Sequence, residues 1–255
     1  MNEPGTPVIE VDKLNVWFGK RHILHDVDFH VNSGEIRVIM GGSGSGKSTL
    51  LRHLLGLLRP QSGTVRILGT DVRNAGPEEM LKLRRQMGVS FQGGALFTSM
   101  TIGENVALPL REHTRLSDAE VRRKVTERLD WVGLQGVEEM KPSSLSGGMR
   151  KRVGLARALA MDPAYILYDE PTTGLDPIMS DVINRLIRSL QARIGVTSIV
   201  VTHDLNSAYH VGDVMAMLHE GHVVFTGTPG ELRAAADPFV RQFVQGSSEG
   251  PVQPL

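Results

Sequence analysis

The 255-residue chain carries 28 basic and 28 acidic side chains, 28 glycines and no cysteine. A chain of this length can bury a large core without disulfides, and the lack of cysteine excludes thiol catalysis and cysteine zinc sites. Because the formal charge is zero, the chain lacks the positive field of a general nucleic-acid binder. The sequence has neither a long apolar run nor a secretory pattern at residues 1–5, so we expect a cytoplasmic protein that works at membranes only through a partner.

The amino-terminal part predicts two strands separated by a turn, followed by a glycine loop and a helix. Residues 26–32 alternate between apolar and polar, which is typical of a half-exposed antiparallel strand. Residues 35–40 predict a short buried strand. Apolar residues at helical spacing between 50 and 58 then predict a buried helix that ends at Pro60. Strands at 65–67 and 87–91 follow.

The middle of the chain changes from strand to helical periodicity. Residues 93–145 predict a helical insertion, in which Ser117 and Glu120 have the spacing of a capping box. We also consider whether its first part contributes a docking surface for a partner. The apolar residues of that segment are Leu96, Phe97, Met100, Ile102 and Val106.

The carboxy-terminal half alternates strands with helices. Strands are predicted at 164–168 and 197–202, separated by a helix that ends at Gly195. This alternation favours an α/β fold with a parallel sheet. A hairpin at 214–226 and two short helices follow, and we expect the polar tail, residues 246–255, to be loose.

A glycine loop with a strand before it and a helix after it satisfies the pattern G-x4-G-K-[ST]. In this position its backbone amides can wrap the phosphates of a nucleotide, Lys47 can reach the β- and γ-phosphates, and Ser48 can bind Mg²⁺. An ordinary Gly-Ser loop is the alternative, which the strand and helix around it disfavour. The loop residues are Gly41, Gly42, Ser43, Gly44, Ser45, Gly46, Lys47 and Ser48.

A second helix start suited to phosphate lies at Ser146, Gly147 and Gly148. By itself, a Ser-Gly-Gly helix cap would be the simpler interpretation. One chain has little use for two such sites around one nucleotide, unless the second serves the nucleotide of another copy.

Two adjacent acids, Asp169 and Glu170, end a predicted apolar strand. Asp169 fits a Mg²⁺ ligand and Glu170 a residue that polarises the attacking water, although without the glycine loop both would be ordinary strand-end acids. Three further candidates have open alternatives. His203 either contacts the γ-phosphate or is a loop histidine, Gln92 either contacts metal or water or is an ordinary polar residue, and Phe18 either stacks on adenine or belongs to the core.

Basic runs occur at 84–85, 122–124 and 150–152, on predicted helices. We interpret them as solvated faces rather than nucleic-acid patches, because the net charge is zero and aromatic residues are few.

In this order and spacing, the motifs resemble those of the ATP-binding subunit of ABC transporters over residues 8–245. The resemblance implies a P-loop NTPase core with an antiparallel β subdomain and an inserted helical subdomain, binding ATP and Mg²⁺. It implies Phe18 as the adenine-stacking aromatic, Gly41 to Thr49 as Walker A and Gln92 as the Q-loop glutamine. It further implies residues 145–149 as the signature, Asp169 as the Walker B acid, Glu170 as the catalytic base, residues 173–176 as the D-loop and His203 as the switch histidine. Such domains form head-to-tail dimers, with each ATP between Walker A of one copy and the signature of the other.

A narrower resemblance is to the ATPases of bacterial Mla phospholipid transport, the group associated with MCE proteins. It rests on residues 91–97 and 109–114, on Met149 at the end of the signature, and on the segment 237–243. Gly42 stands where proline is common, and the short tail puts any tail-mediated subunit contact in doubt.

The combined interpretation is a nucleotide-binding domain over residues 1–245. It would lie on the cytoplasmic face of the bacterial inner membrane and hydrolyse ATP to energise a separate membrane permease. The resemblance implies that phospholipid is moved to maintain outer-membrane asymmetry, with MCE-type substrate-binding and small regulatory subunits as further partners. The alternatives are a soluble ABC-type machine acting on DNA or ribosomes, and a binding module without turnover. The short distance between Gln92 and Leu145 disfavours the first, and Glu170 disfavours the second.

Overall fold

Two β-sheets and their connecting helices are described for residues 7–251 of the computed structural model. The strands are, in chain order, β1 (Pro7–Phe18), β2 (Arg21–Asn32), β3 (Ile36–Met40), β4 (Ser62–Ile67), β5 (Thr70–Asp71), β6 (Met87–Ser90), β7 (Tyr165–Asp169), β8 (Thr197–Val201), β9 (Val214–His219) and β10 (His222–Gly227). The α-helices are α1 (Lys47–Leu54), α2 (Pro77–Arg84), α3 (Ile102–His113), α4 (Asp118–Trp131), α5 (Gly147–Leu159), α6 (Pro177–Ile194), α7 (Leu205–Val211), α8 (Pro229–Ala234) and α9 (Pro238–Gln245).

The larger sheet has six strands in the order β10-β9-β3-β8-β7-β6. All its neighbours pair in parallel except β10 and β9, which form the predicted antiparallel hairpin. The smaller sheet, with the order β2-β1-β4-β5, is antiparallel throughout. The α/β fold with a parallel core and an antiparallel β unit is therefore confirmed.

The parallel sheet is covered on both faces, which explains why its strands are almost entirely apolar. On β3, Ile36, Val38 and Met40 enter one hydrophobic cluster with the helices of the insertion, whereas Ile39 enters the other cluster with α1 and the antiparallel sheet. Each side chain of β3 is buried. The carboxyl ends of the parallel strands are thereby held at one rigid edge.

The predicted helical insertion contains α3 and α4, while residues 93–101 before α3 are not helical. The capping box at the start of α4 is confirmed, because Ser117 Oγ accepts from Glu120 N and Glu120 Oε2 accepts from Ser117 N. An apolar stripe runs along one face of α4 to its C-cap, Val132. Its members are buried: Val121, Val125, Leu129 and Val132.

The predicted end of α1 at Pro60 is wrong, because the helix ends at Leu54. Gly56 adopts φ +60°, and the amide of Leu57 returns to the carbonyl oxygen of Arg52, so the chain leaves the helix six residues before the proline. Leu57 is consequently 60% exposed rather than buried. The helix α7 is additional to those that the sequence predicted, whereas α2 ends at Arg84, within the basic run that we expected on a helix.

The tail is described only to Pro251, and residues 1–6 and 252–255 lie outside the described range. Its first part does not extend away from the protein, because Ser247 N donates to Gln242 O and Gln242 Nε2 donates to Ser247 O. No helix between residues 7 and 251 is both long and apolar enough to span a bilayer.

Candidate functional site

The glycine loop lies at the carboxyl end of β3 and leads directly into α1. A Cβ atom at Gly41, where φ is +150°, would lie 2.1 Å from the carbonyl oxygen of Leu218, so only glycine fits against β9. Gly46, with φ +105°, is the N-cap of α1, and no side chain caps this helix. The first amides of α1 therefore keep their capacity to bind an anion.

The Lys47 side chain lies across the loop that precedes it. Its Nζ donates to the carbonyl oxygens of Gly41 at 2.7 Å and Gly42 at 2.8 Å. Burial lowers the pKa of the Lys47 ammonium, and the negative charge of Glu170 opposes that shift. The lysine thus faces both its own loop and the carboxylate that follows β7.

The strand register brings the predicted acids to the same sheet edge as the loop. Both Ile39 of β3 and Asp169 of β7 pair with Val201 of β8. Burial raises the pKa of the Asp169 carboxyl, and the neighbouring charge of Glu170 raises it further. A cation beside Asp169 would relieve both effects.

Glu170 has three side-chain partners and an unusual backbone. Its Oε1 lies 2.9 Å from His203 Nδ1, and its Oε2 accepts from Thr173 Oγ1 at 3.0 Å and from Thr202 Oγ1 at 3.3 Å. Its φ is +49°, which is uncommon for a residue with a side chain and is often seen at functional sites. The structure therefore brings together Lys47, Asp169, Glu170 and His203.

Gln92 follows β6, and its exposed side chain makes no hydrogen bond to any residue between 7 and 251. The backbone just after it is held by α5. Arg157 donates to the carbonyl oxygens of Gly94 at 3.0 Å and Ala95 at 2.9 Å. The segment after Gln92 is thus attached to the helix that begins at the signature.

Ser146 caps α5, because its Oγ accepts from Met149 N at 3.2 Å. Ser146 and Gly147 are exposed, whereas Gly148 is buried against Met179. Within residues 7–251, no hydrogen bond or ion pair joins this helix start to the glycine loop. Within the described residues the two predicted phosphate sites are therefore not linked by hydrogen bonds.

The remaining predicted positions differ in exposure. Phe18 ends β1 and is 49% exposed, so its assignment to the core is wrong. Ser48 is exposed at the start of α1, while Ser45 and Thr49 are buried. Beside Phe18, a row of four aromatic rings in contact was not predicted, since no spacing in the sequence indicates it. Its two outer pairs are stacked and its middle pair is tilted. Its members are Trp17, His22, His25 and His222.

The basic run at 150–152 is not the solvated face that we expected. Arg150 donates to Leu145 O, Lys151 donates to the carbonyl oxygens of Glu170 and Pro171, and Arg152 donates to those of Val132 and Gly133. These cations bind backbone carbonyl groups that side-chain spacing cannot reveal. The side chains of the 84–85 run are exposed, as expected, but Arg84 Nη2 also donates to a backbone carbonyl, that of Gly56, at 2.9 Å.

A cleft of about 530 Å³, here called the Phe97 cleft, lies between β6, the ends of α3 and α5, and the segment after Gln92. Phe97 is 50% exposed in it. Ile102 and Val106, which we considered for the docking surface, are fully buried and belong to the core. The apolar side chains of the cleft include Phe91, Phe97, Leu108, Pro109 and Met161.

Comparison with known proteins agrees with this arrangement. The family described as ABC transporter matches residues 24–173. The chain is 46% identical to the "Probable ribonucleotide transport ATP-binding protein mkl" of Mycobacterium leprae, over 96% of this chain and 70% of that protein. It is 42% identical to the intermembrane phospholipid transport system ATP-binding protein MlaF of Haemophilus influenzae, over 96% of this chain and 93% of that protein, and 41% identical to MlaF of Escherichia coli K12, over 95% and 91%.

Solved structures give the same result. The fold is similar to that of cbiO1 from Clostridium perfringens, part of an ABC transporter complex, with a TM-score of 0.84 and 31% identity over 91% of this chain and 92% of that one. It is also similar to the dimeric ATP-binding cassette MJ0796 with bound ADP and Pi, with a TM-score of 0.78 and 35% identity over 87% and 98%. Together with the loop, the paired acids and the extent of these matches, this places the chain in the ABC transporter family, as an ATP-binding subunit that hydrolyses ATP.

Proposed function

We propose that Mg-ATP binds between the glycine loop and the ends of β7 and β8, and that its γ-phosphoryl group passes in line to water. The observation that carries this assignment is the meeting of Lys47, Glu170 and His203 at one sheet edge, with the Glu170 carboxylate between the lysine and the histidine. The proposal makes each residue's contribution testable by substitution.

The nucleotide would be held mainly by backbone groups. Amides of residues 41–49 surround the phosphates, and the Lys47 ammonium supplies charge to the β- and γ-phosphates. Phe18 is exposed enough to stack on the adenine ring. Because the side chains of Ser45 and Thr49 are buried, we assign these two residues backbone contacts only.

The metal assignment rests on the chemistry of the donors. The exposed Ser48 hydroxyl, the Asp169 carboxylate and the Gln92 side-chain oxygen are hard ligands that suit Mg²⁺. Burial and the neighbouring Glu170 raise the pKa of Asp169, so a bound cation would favour the charged form of this carboxylate. Mg²⁺, when bound, would neutralise charge on the β- and γ-phosphates.

Glu170 is the proposed general base. Its carboxylate accepts the proton of the attacking water while the oxygen of that water bonds to the γ-phosphorus and the bond to the bridging oxygen of ADP breaks. His203, Thr173 and Thr202 orient the carboxylate through their contacts with its two oxygens. A second function of His203 would be to contact the γ-phosphate.

We also propose that Ser146 acts on the ATP of a second copy, with the two chains arranged head to tail. Two observations support this proposal: within residues 7–251 of one chain no hydrogen bond joins Ser146 to the glycine loop, and the related cassette MJ0796 is dimeric. In a covalently linked dimer, Lys47→Ala and Ser146→Arg in the same half would damage both composite sites once. Placed in different halves, the two changes would damage one site twice and leave the other intact. Equal ATPase activity of the two linked dimers would contradict cross-subunit pairing.

The proposed membrane partner is a permease subunit that docks a helix in the Phe97 cleft. The cleft has an apolar floor, and Arg157 in its wall donates to the backbone that follows Gln92. If Gln92 moves when the bound nucleotide changes, the attached backbone would therefore shift the cleft in which the permease helix docks. This arrangement would place the chain on the cytoplasmic face of the inner membrane.

Phospholipid is the proposed cargo of that permease. The support is the high identity to MlaF proteins over more than nine-tenths of their length. MCE-type and small regulatory subunits would complete the complex. The M. leprae relative is named for ribonucleotide transport, so ribonucleotide is the second candidate.

Purification of the native membrane complex through a tag on this chain distinguishes the two. We expect a permease and an MCE-type protein to co-purify, and the reconstituted complex to move fluorescent phospholipid between vesicles only with hydrolysable ATP. A complex that moves ribonucleotide, and does not move phospholipid, would overturn the cargo assignment. The ATPase assignment would be unaffected.

A further inference from the structure

Lys151 lies in the second turn of α5, the helix that Ser146 caps, and its side chain extends to the segment after β7. Its Nζ donates to the carbonyl oxygen of Glu170 at 3.2 Å and to that of Pro171 at 2.9 Å. A cation on the signature helix is thereby attached to the backbone of the proposed catalytic base.

The bonds from Lys151 add to one weak bond within this stretch of backbone, from Thr173 N to Glu170 O at 3.4 Å. Glu170 is in the left-handed region with φ +49°, a backbone conformation that is unfavourable for a residue with a side chain. The next residue, Pro171, is buried and has no N–H group of its own. Hydrogen bonds from an ammonium group are about twice as strong as neutral ones, so Lys151 is well suited to hold both carbonyl groups in this turn.

The lysine also lies within electrostatic reach of the Glu170 side chain. Burial lowers the pKa of the Lys151 ammonium, and the Glu170 carboxylate opposes that shift. The carboxylate is therefore attracted by two lysines, Lys47 of the glycine loop and Lys151 of α5. Its two oxygens contact His203, Thr173 and Thr202 on the other side.

We propose that Lys151 is a positioning residue, which holds the left-handed turn at Glu170 and so aims the carboxylate at the attacking water. This inference rests on the proposed role of Glu170 as the base. Because Ser146 lies five residues earlier on the same helix, Lys151 also links the start of α5 to the base of its own chain.

A neighbouring residue provides a matched control. Arg152 follows Lys151 on α5 and also donates to two backbone carbonyl groups, those of Val132 and Gly133 at 3.2 and 3.0 Å. These carbonyl groups end α4, away from Glu170. Substitution of Arg152 therefore shows the effect of removing a carbonyl-binding cation from α5 without changing the contacts of Glu170.

The test compares Lys151→Met, Lys151→Arg and Arg152→Met in the purified full-length chain, with ATPase kinetics, ATP titration and thermal melting. We expect Lys151→Met to lower kcat about ten- to a hundredfold, since misplacement of about 1 Å can have this effect, while KM and the Kd for ATP stay within about threefold. Lys151→Arg keeps the charged donor and should restore kcat to within about threefold. Arg152→Met should keep kcat near that of the wild type, even if it lowers Tm.

A double substitution separates positioning from general damage. If Lys151 acts through Glu170, adding Lys151→Met to Glu170→Gln should lower the residual activity by less than about twofold. A Lys151→Met protein that melts normally and keeps wild-type kcat would overturn the inference, as would equal losses of kcat in Lys151→Met and Arg152→Met. If Glu170→Gln itself keeps full activity, the assignment of Glu170 as the base is wrong. That result differs from those that contradict the role of Lys151, so the two hypotheses can be tested separately.

Discussion

His203 Nδ1 lies 2.9 Å from Glu170 Oε1, and this contact joins the end of β7 to the segment that follows β8. The carboxylate is mostly buried, with 15% of the Glu170 side chain exposed, whereas the His203 ring is 61% exposed. The histidine therefore lies on the open side of the base, where substrate would approach.

Replacement of His203 should reduce turnover without removing ATP binding. His203→Ala is expected to lower kcat about ten- to a hundredfold and to leave the Kd for ATP within about threefold, because the base loses an orienting partner. His203→Gln keeps a donor and should retain more activity. His210→Ala is the control, since His210 is an exposed histidine of α7 whose one hydrogen bond within residues 7–251 is to Asn206 O. Wild-type kcat in His203→Ala would contradict this role.

The close approach of Gly41 to β9 predicts an intolerant position. Gly41→Ala should destabilise the fold by more than about 2 kcal/mol and abolish ATP binding, since the new Cβ would collide with Leu218 O. At Gly44, where φ is +76°, an added Cβ would meet no atom within 4 Å. Gly44→Ala should therefore lower the free energy of unfolding by only roughly 1–2 kcal/mol. Denaturant titration and calorimetry would compare the two, and equal losses would argue against the steric explanation.

The raised pKa of Asp169 predicts a pH-dependent stability. Above the ordinary value of 3.8 and up to the raised pKa, the folded protein binds more protons than the unfolded chain, so stability falls as pH rises through this window. The full penalty is present once the pH exceeds the raised pKa. Asp169→Asn should therefore raise Tm at pH 7.5 without nucleotide, and the difference should shrink as pH falls through the window.

The same variant should lose the extra stabilisation that Mg²⁺ gives to the ATP-bound wild type, because it lacks the charged ligand. An Asp169→Asn protein that melts at or below the wild-type temperature at pH 7.5 would show that the carboxylate is not destabilising there.

The Phe97 cleft predicts a separation of binding from coupling. Phe97→Asp should leave ATP binding and Tm near wild type, because the side chain is half-exposed, but it should prevent co-purification with the permease. Leu57→Asp is the matched control, since the Leu57 side chain is 60% exposed, against 50% for Phe97, and lies outside the cleft. Normal assembly and transport by a folded Phe97→Asp protein would contradict the docking assignment.

The parts of the site that could be predicted from the sequence are local. The glycine loop and Glu170 each lie directly after a strand, Asp169 is the last residue of β7, and parallel strands bring their ends to one edge. A short stretch of sequence therefore indicates both which residues form the site and that they lie at the same edge of the sheet. The capping box of α4 is predictable for the same reason.

The parts that could not be predicted depend on contacts between distant segments. Lys151 and Arg157 bind carbonyl groups of Glu170 and Gly94, and backbone acceptors leave no pattern in side-chain spacing. Ile102 and Val106 are as apolar as Phe97, but only the packing of α3 decides that they are core. The early end of α1 follows from the left-handed Gly56, which the leucine periodicity conceals.

The most direct test of the account is ATP turnover by Glu170→Gln beside the wild type. The amide keeps the shape of the carboxylate and cannot accept the proton from water. We predict that kcat falls at least about a hundredfold while the Kd for Mg-ATP, measured by calorimetry, stays within about threefold. Hydrolysis by Glu170→Gln within threefold of the wild-type rate would contradict the assignment of Glu170 as the base.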